Sequence, residues 1–190
     1  MHLMGIKAIY PKPKTSNKDQ EAQVYPYLLK DLIINKCNQV WMTDITYIRL
    51  PKGFVYLCAL IDVKSRYIVG YSLSNSIDTN LCIEALSNAV NSNGRPSIIN
   101  SDQGTQFTSD KWVNELMLNN IQISHTGIGR CIDNVYIERF WRSIKYEKLH
   151  LSELTTINEL EKIIAQYVLH YNNVRPHSAL KGKTPAMIYN

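Results

Sequence analysis

The chain has 190 residues, 45% of them hydrophobic and 19% charged, and a formal net charge of +5. This composition excludes a disordered or fibrous chain, and the lack of any run of 18 or more apolar residues excludes a membrane-spanning helix. The length suits one domain with a real core plus appended pieces.

The first residues show no signal-peptide core, because Lys7 breaks the apolar letters and Pro11-Lys12-Pro13-Lys14 follows them; this points to a cytoplasmic protein. Charge is unevenly placed. Residues 1–38 hold six Lys/Arg against three acids, 39–128 six against seven, and 129–190 nine against six. An acidic middle with basic flanks fits a polyanion gripped from both sides. Cys37, Cys58, Cys82 and Cys131 stand far apart without a CxxC pair and share no ligand spacing with the five histidines, so no structural zinc is expected.

In chain order, residues 1–38 read as a basic lead-in, with 10–18 an extended Pro- and Lys-containing linker. Residues 40–48, 53–63 and 66–73 are rich in β-formers, and Pro51-Lys52-Gly53 and Lys64-Ser65 punctuate them. Short turns between consecutive strands predict an antiparallel meander. A helix is predicted over 78–90, capped by Asp78 and ended by Gly94-Arg95-Pro96. A short strand at 98–100, a helix at 108–118 with Ser109 or Thr108 as its cap, and a strand at 121–124 follow. Gly127 and Gly129 mark a flexible loop. Long helices are predicted over about 133–149 and 157–172, the second stopped before Pro176. The order β-β-β-α-β-α-β-α describes an α/β fold. It is a mixed five-stranded sheet, three antiparallel strands then two parallel, flanked by helices in the ribonuclease-H-like manner and followed by C-terminal helices.

Three carboxylates stand out on this frame. Asp44 sits inside Thr43-Asp44-Ile45, mid-strand, where an unpaired charge is costly. A metal ion would compensate it; an edge strand facing water would also do so. Asp102 follows Ile98-Ile99 at a strand end and enters a Gly-containing loop, where ligands commonly meet a sheet. Glu138 lies on the long helix, 35 intervening residues after Asp102, and Lys145 lies seven positions further on. Asn134, Glu138, Trp141 or Arg142, and Lys145 recur at helical spacing and can share one polar face, which could equally be a solvated one. Asp62, beside Lys64-Ser65-Arg66 at a hairpin turn, reads as structural. Two divalent ions held by such carboxylates can clamp the attacking and leaving oxygens of a phosphoryl transfer.

Five stretches in order resemble a known family. They are Trp41-Met42-Thr43-Asp44-Ile45-Thr46-Tyr47-Ile48, Ile61-Asp62-Val63-Lys64-Ser65-Arg66 and Ser101-Asp102-Gln103-Gly104-Thr105-Gln106-Phe107. Then come Asp133-Asn134-Val135-Tyr136-Ile137-Glu138-Arg139-Phe140-Trp141-Arg142-Ser143-Ile144-Lys145-Tyr146-Glu147 and Tyr171-Asn172-Asn173-Val174-Arg175-Pro176-His177-Ser178-Ala179-Leu180. Nearly the whole chain resembles the DDE transposases of the third bacterial insertion-sequence family (the second-frame catalytic protein), which carry a retroviral-integrase-like catalytic core.

The resemblance implies metal-dependent cleavage and transfer of DNA strands at the element's ends. It implies that Asp44, Asp102 and Glu138 ligate two Mg²⁺ (or Mn²⁺) ions. Lys145, Asn134, Arg139 and Arg142 would meet DNA, as would Arg175 and His177, which match the family's C-terminal motif. The implied partners are DNA (terminal inverted repeats and target), further copies of the chain in a transposition complex, and the first-frame helix-turn-helix protein. Residues 1–38 would be a linker and the tail of an upstream helical segment, 39–150 the catalytic core and 151–190 its helical extension. The short start also motivates an alternative, a non-catalytic DNA-binding remnant that modulates a full-length transposase.

Overall fold

The computed structural model describes residues 25–126 and 134–190. The linker at 10–18, the loop at 127–129, Cys131 and the expected helix start at Asp133 lie outside the described residues. Five strands form one sheet: β1 (Val40–Leu50), β2 (Gly53–Asp62), β3 (Ile68–Ser74), β4 (Ile98–Ser101) and β5 (Gln122–His125), in the order β3-β2-β1-β4-β5. The first three pair antiparallel, and β1–β4 and β4–β5 pair parallel. The mixed sheet expected from the sequence is therefore present.

Alternation along the strands divides the core in two. Val40, Met42, Ile48 and Leu50 of β1, with Val55, Leu57, Ala59 and Ile61 of β2, face one layer. Trp41, Cys58 and Leu60 face the other. Both sides of β2 are thus covered, which is why its sequence is almost continuously apolar rather than alternating. The first layer is closed by α3 (Val135–Glu147) and α4 (Ile157–Asn173), through Ile137, Phe140, Ile144, Leu160 and Ile164. The second is closed by α1 (Thr79–Asn93) and α2 (Asp110–Leu118), through Leu81, Leu86, Trp112 and Leu116.

The helix ends follow local chemistry. Asp78 caps α1 by accepting from the Leu81 N–H, and Gly94, at φ 75°, closes it by donating to the Val90 carbonyl. Ser109, not Thr108, caps α2. Thr156 and Glu159 form a reciprocal capping box at the start of α4. α1 packs so closely on β3 that a Cβ at Gly70 would lie 2.6 Å from that of Ala89. A short C-terminal helix, α5 (Pro185–Tyr189), and 3₁₀ turns at Leu149–Leu151 and Ser178–Leu180 were not legible in the sequence. They are too short for a period to show.

Two polar residues hold the frame. Asp62 is fully buried and accepts from the backbone N–H of Asn38 and Ser65 and from the Ser65 hydroxyl, at 2.6–2.8 Å. It takes the structural role read for it. Asn172, buried near the end of α4, accepts from the Ile68 N–H and donates to the Ile68 carbonyl, at 2.9 and 3.0 Å. It imitates a neighbouring strand at the edge of β3. Within the N-terminal lead-in, Leu28, Leu29, Leu32 and Ile34 pack on the α3–α4 layer. No helix among the described residues is long and apolar enough to cross a membrane.

Candidate active site

Asp44 stands in the middle of β1 on the face shared with Val40 and Met42, so its side chain points toward α3. The indole N–H of Trp141 donates to its Oδ2 at 2.9 Å. The carboxyl is half-buried, and burial pushes its pKa up from 3.8 to about 6. The Trp141 and Ile45 N–H groups oppose that rise, and the negative charges of Asp102 and Glu138 add to it. Asp102, at the end of β4, and Glu138, on α3, therefore both lie within electrostatic reach of Asp44 on β1.

The sheet register explains the approach of Asp44 and Asp102. Val40 pairs with Ile98, Trp41 with Ile99 and Met42 with Asn100 in the parallel β1–β4 ladder. Asp44 and Asp102 each lie two residues beyond the last of these pairs, so the parallel register carries both toward the same end of the ladder. Asp102 has left the strand and is exposed, and its Oδ1 accepts from the Gly104 N–H at 3.0 Å. Glu138 lies exposed in the first turn of α3, where the helix dipole favours a negative charge. Ile137, Phe140 and Ile144 bury the other side of that helix.

The polar face expected on α3 is divided in the structure. Trp141 and Arg142 flank Glu138 on the helical wheel, and Trp141 is the one turned inward to Asp44. Lys145, one turn beyond Trp141, stays on the carboxylate side. Burial lowers its pKa, the Asp44 charge holds it up, and its ammonium lies 5.4 Å from the Tyr47 ring centre. Asn134 is not displayed on that face. It is buried at the helix start, and its amide donates to the Thr43 carbonyl at 3.3 Å. That bond ties the start of α3 to the residue before Asp44.

Arg139 and Arg142 point instead into a cleft shared with Arg66, Tyr171, Arg175 and His177. Arg175 is paired with Glu147, at 2.6 and 2.9 Å. His177 is buried, edge-on to Tyr171 with ring centres 4.6 Å apart. The sequence reading placed Trp141 only as one of two neighbours on a polar face. Its signal was the pairing of a mid-strand aspartate with an aromatic N–H donor, which spacing alone does not reveal.

Among the described residues, no three His, Cys, Asp or Glu side chains are drawn together closely enough to hold a metal ion. The donor set nevertheless suits one. It offers carboxylate oxygens only, and its innermost member carries a charge that burial and two like charges disfavour. Hard divalent cations prefer such ligands, and binding one reverses that electrostatic penalty.

Comparison with known proteins agrees with this geometry. The family model described as "Integrase core domain" matches residues 35–131, and a second model of the same description matches 119–185. The chain is 31% identical to the putative transposase InsK for insertion sequence element IS150 of Escherichia coli, covering 97% of this chain and 67% of that protein. It is 33% identical to the transposase for insertion sequence element IS904 of Lactococcus lactis, covering 97% and 76%. Against transposase InsF of insertion sequence IS3A of Escherichia coli it is 32% identical, and it spans 58% of that protein. Among solved structures, the HTLV-2 integrase catalytic core domain in complex with magnesium superposes with a TM-score of 0.67 at 22% identity, over 82% of this chain and 98% of that one. A chain of the simian T-cell lymphotropic virus intasome gives 0.73 at 17% identity, over 90% and 60%. These two likenesses establish the fold.

Proposed function

The chain belongs to the integrase-core family of insertion-sequence transposases, and from that premise we propose that it cuts and joins DNA strands at element ends, with Asp44, Asp102 and Glu138 as its divalent-metal site. The observation that carries the reading is Asp44 itself, a carboxylate built into the middle of a core strand and raised in pKa partly by the other two. A strand interior has no structural use for such a group unless something binds it.

When bound, divalent ions supply Lewis-acid polarisation of the phosphate and activation of the attacking oxygen. The protein's own contribution is to hold the ligands. The Trp141 indole fixes the rotamer of Asp44. The Gly104 N–H fixes one oxygen of Asp102 and leaves the other free of that turn. Asn134 pins the start of α3, and with it Glu138, to β1. Lys145 presents a cation beside the carboxylates, suited to the phosphate flanking the reacting bond. We further propose that two ions bind, Mg²⁺ or Mn²⁺, and that copies of the chain associate on DNA.

The test is cleavage and joining of oligonucleotides that carry the inverted repeats flanking the gene, with and without Mg²⁺. Products are expected only with the ion. Activity that survives Asp44→Asn or Glu138→Gln would sink the reading.

A further inference from the structure

Two adjoining cavities lie on the side of α3 away from Asp44. One, of about 590 Å³, is rimmed by Lys64, Lys181 and Lys183 over an apolar floor that includes Leu32 and Ile188. The other, of about 450 Å³, is lined by Arg139, Arg142 and Arg175 together with Tyr171. Arg66, Tyr136 and Ala179 line both, so the two adjoin. Seven of the chain's 21 Lys and Arg residues line them; Arg175 is paired with Glu147, and the other six have no salt bridge among the described residues. Such crowding of like charge is unfavourable unless an anion relieves it.

Arg66 sits at the join. Its backbone is left-handed, at φ 66°, and is fixed by the Arg66 N–H donating to the Asp62 carbonyl at 2.8 Å. Its guanidinium lies 3.4 Å over the centre of the Tyr136 ring. That stack presets the planar fork before any ligand arrives. One of its nitrogens, Nη1, is buried and has no hydrogen-bond partner among the described residues. A buried guanidinium nitrogen without a partner is costly, and an anion's oxygens supply what it lacks.

We propose that the two cavities form one groove that grips the phosphate backbone of DNA leaving the carboxylate site. This rests on the transposase reading above. A lone phosphate is satisfied by two or three donors, whereas six cations outside any salt bridge, along two adjoining cavities, suit a linear polyanion. The groove is also contiguous with the site. Arg139 follows Glu138 directly, and Arg142 is about 6 Å further along the axis of the same helix. A strand bound at the carboxylates therefore meets these arginines as it crosses α3, and the lysines beyond them.

The test uses the full chain without metal and a fluorescein-labelled duplex of about 30 base pairs, read by anisotropy across a KCl series. Lys64, Lys181 and Lys183 are exposed, so the triple variant Lys64→Gln, Lys181→Gln, Lys183→Gln keeps the core intact. Its log K against log salt slope is expected to fall by about 0.9 for each phosphate that the variant no longer neutralises. At about 0.1 M salt its affinity should drop on the order of tenfold for each such phosphate. Lys162→Gln, exposed on α4 and outside the groove, should change neither quantity. Arg66→Gln should weaken binding in the same way, with its melting temperature measured alongside.

A triple variant that melts like the unaltered chain and keeps its slope and affinity overturns the groove. So does displacement of the duplex by millimolar inorganic phosphate, which would mark a lone-phosphate site, or by a deca-glutamate peptide at equal charge, which would mark an acidic protein partner. The metal ligands are untouched in these variants. A chain that still cleaves element ends while the triple variant binds unchanged refutes the groove alone; an unaltered chain that binds no DNA refutes both readings.

Discussion

The two faces of the sheet handle polar atoms differently. On the α1–α2 face buried hydroxyls are satisfied by nearby backbone: Thr43 donates to the Ala59 carbonyl at 3.1 Å and Ser72 to the Leu81 carbonyl at 2.6 Å. Between them lies an apolar layer that includes Trp112, Leu86 and Leu116. On the α3–α4 face carboxylates and amides find partners distant in sequence. Trp141 reaches Asp44, Asn134 reaches Thr43 and Asn172 reaches Ile68, spanning 91 to 104 residues. One face supplies cohesion. The other trades cohesion for a charged site held by long-range hydrogen bonds, and it is the face that meets the groove.

Substitutions on the two faces should therefore differ in sign as well as size. Trp112→Ala empties a fully buried aromatic site on the cohesive face. It is expected to cost about 3–5 kcal/mol, read by urea denaturation, with loss of activity only in proportion to unfolding. Asp44→Asn should do the reverse, removing activity while raising metal-free stability. The folded carboxyl, at about 6, lies above its ordinary 3.8. The unfolded chain then loses this proton first, and stability falls as pH rises through that window. Replacing the charge recovers at most about 3 kcal/mol above pH 6, and nothing below about pH 4. A melting temperature for Asp44→Asn equal to that of the unaltered chain at pH 7.5 would show that burial does not penalise the Asp44 charge as described.

Asn172→Leu tests the second kind of bond. It keeps the volume but strands the Ile68 N–H and carbonyl, at a cost of about 2 kcal/mol, with hydrogen exchange at Ile68 as the local readout. Trp141→Phe is milder still for the fold. It keeps an aromatic ring against Phe140 but removes the donor to Asp44. Stability should change by about 1 kcal/mol or less, while the metal concentration needed for cleavage rises because Asp44 is no longer oriented. Equal metal dependence in both chains would deny Trp141 its positioning role.

Much of the frame was legible in the sequence because it rests on local signals. The turns at Pro51-Lys52-Gly53 and Lys64-Ser65, the caps at Asp78 and Ser109, and the apolar run of β2 all write themselves into neighbouring residues. The carboxylates were legible in another way: a charge inside a strand is an anomaly, and Asp44 is one. What stayed hidden were pairings across the fold. Helical spacing allows either Trp141 or Arg142 beside Glu138, and only the seat of α3 on β1 decides for Trp141. Asn134 read as a member of a polar face because its partner, the Thr43 carbonyl, is 91 residues away. Arg66 read as a hairpin residue, since nothing near it in sequence announces Tyr136.

The smallest expected effect on stability is the most informative about the groove. Arg175 lines the second cavity but is held by Glu147, which also accepts from the Tyr167 hydroxyl at 2.8 Å. The Arg175 hydrogen bonds, with Tyr167, hold the Glu147 carboxyl below its ordinary value of 4.5. Stability from this pair is therefore present above pH 4.5 and is lost as pH falls through the lower folded value. The pair is partly solvent-exposed, so Glu147→Gln should cost less than about 1 kcal/mol at pH 7 and nothing in strong acid. The same substitution frees Arg175 while leaving every groove cation in place. If Arg175 belongs to the DNA path, the salt slope should steepen by about 0.9 and low-salt affinity should rise. If it is only a buttress between α3 and the C-terminal segment, the slope will stay as it was while the melting temperature drops. The stabilising pair and the DNA contact make opposite demands on one guanidinium, and this variant separates them.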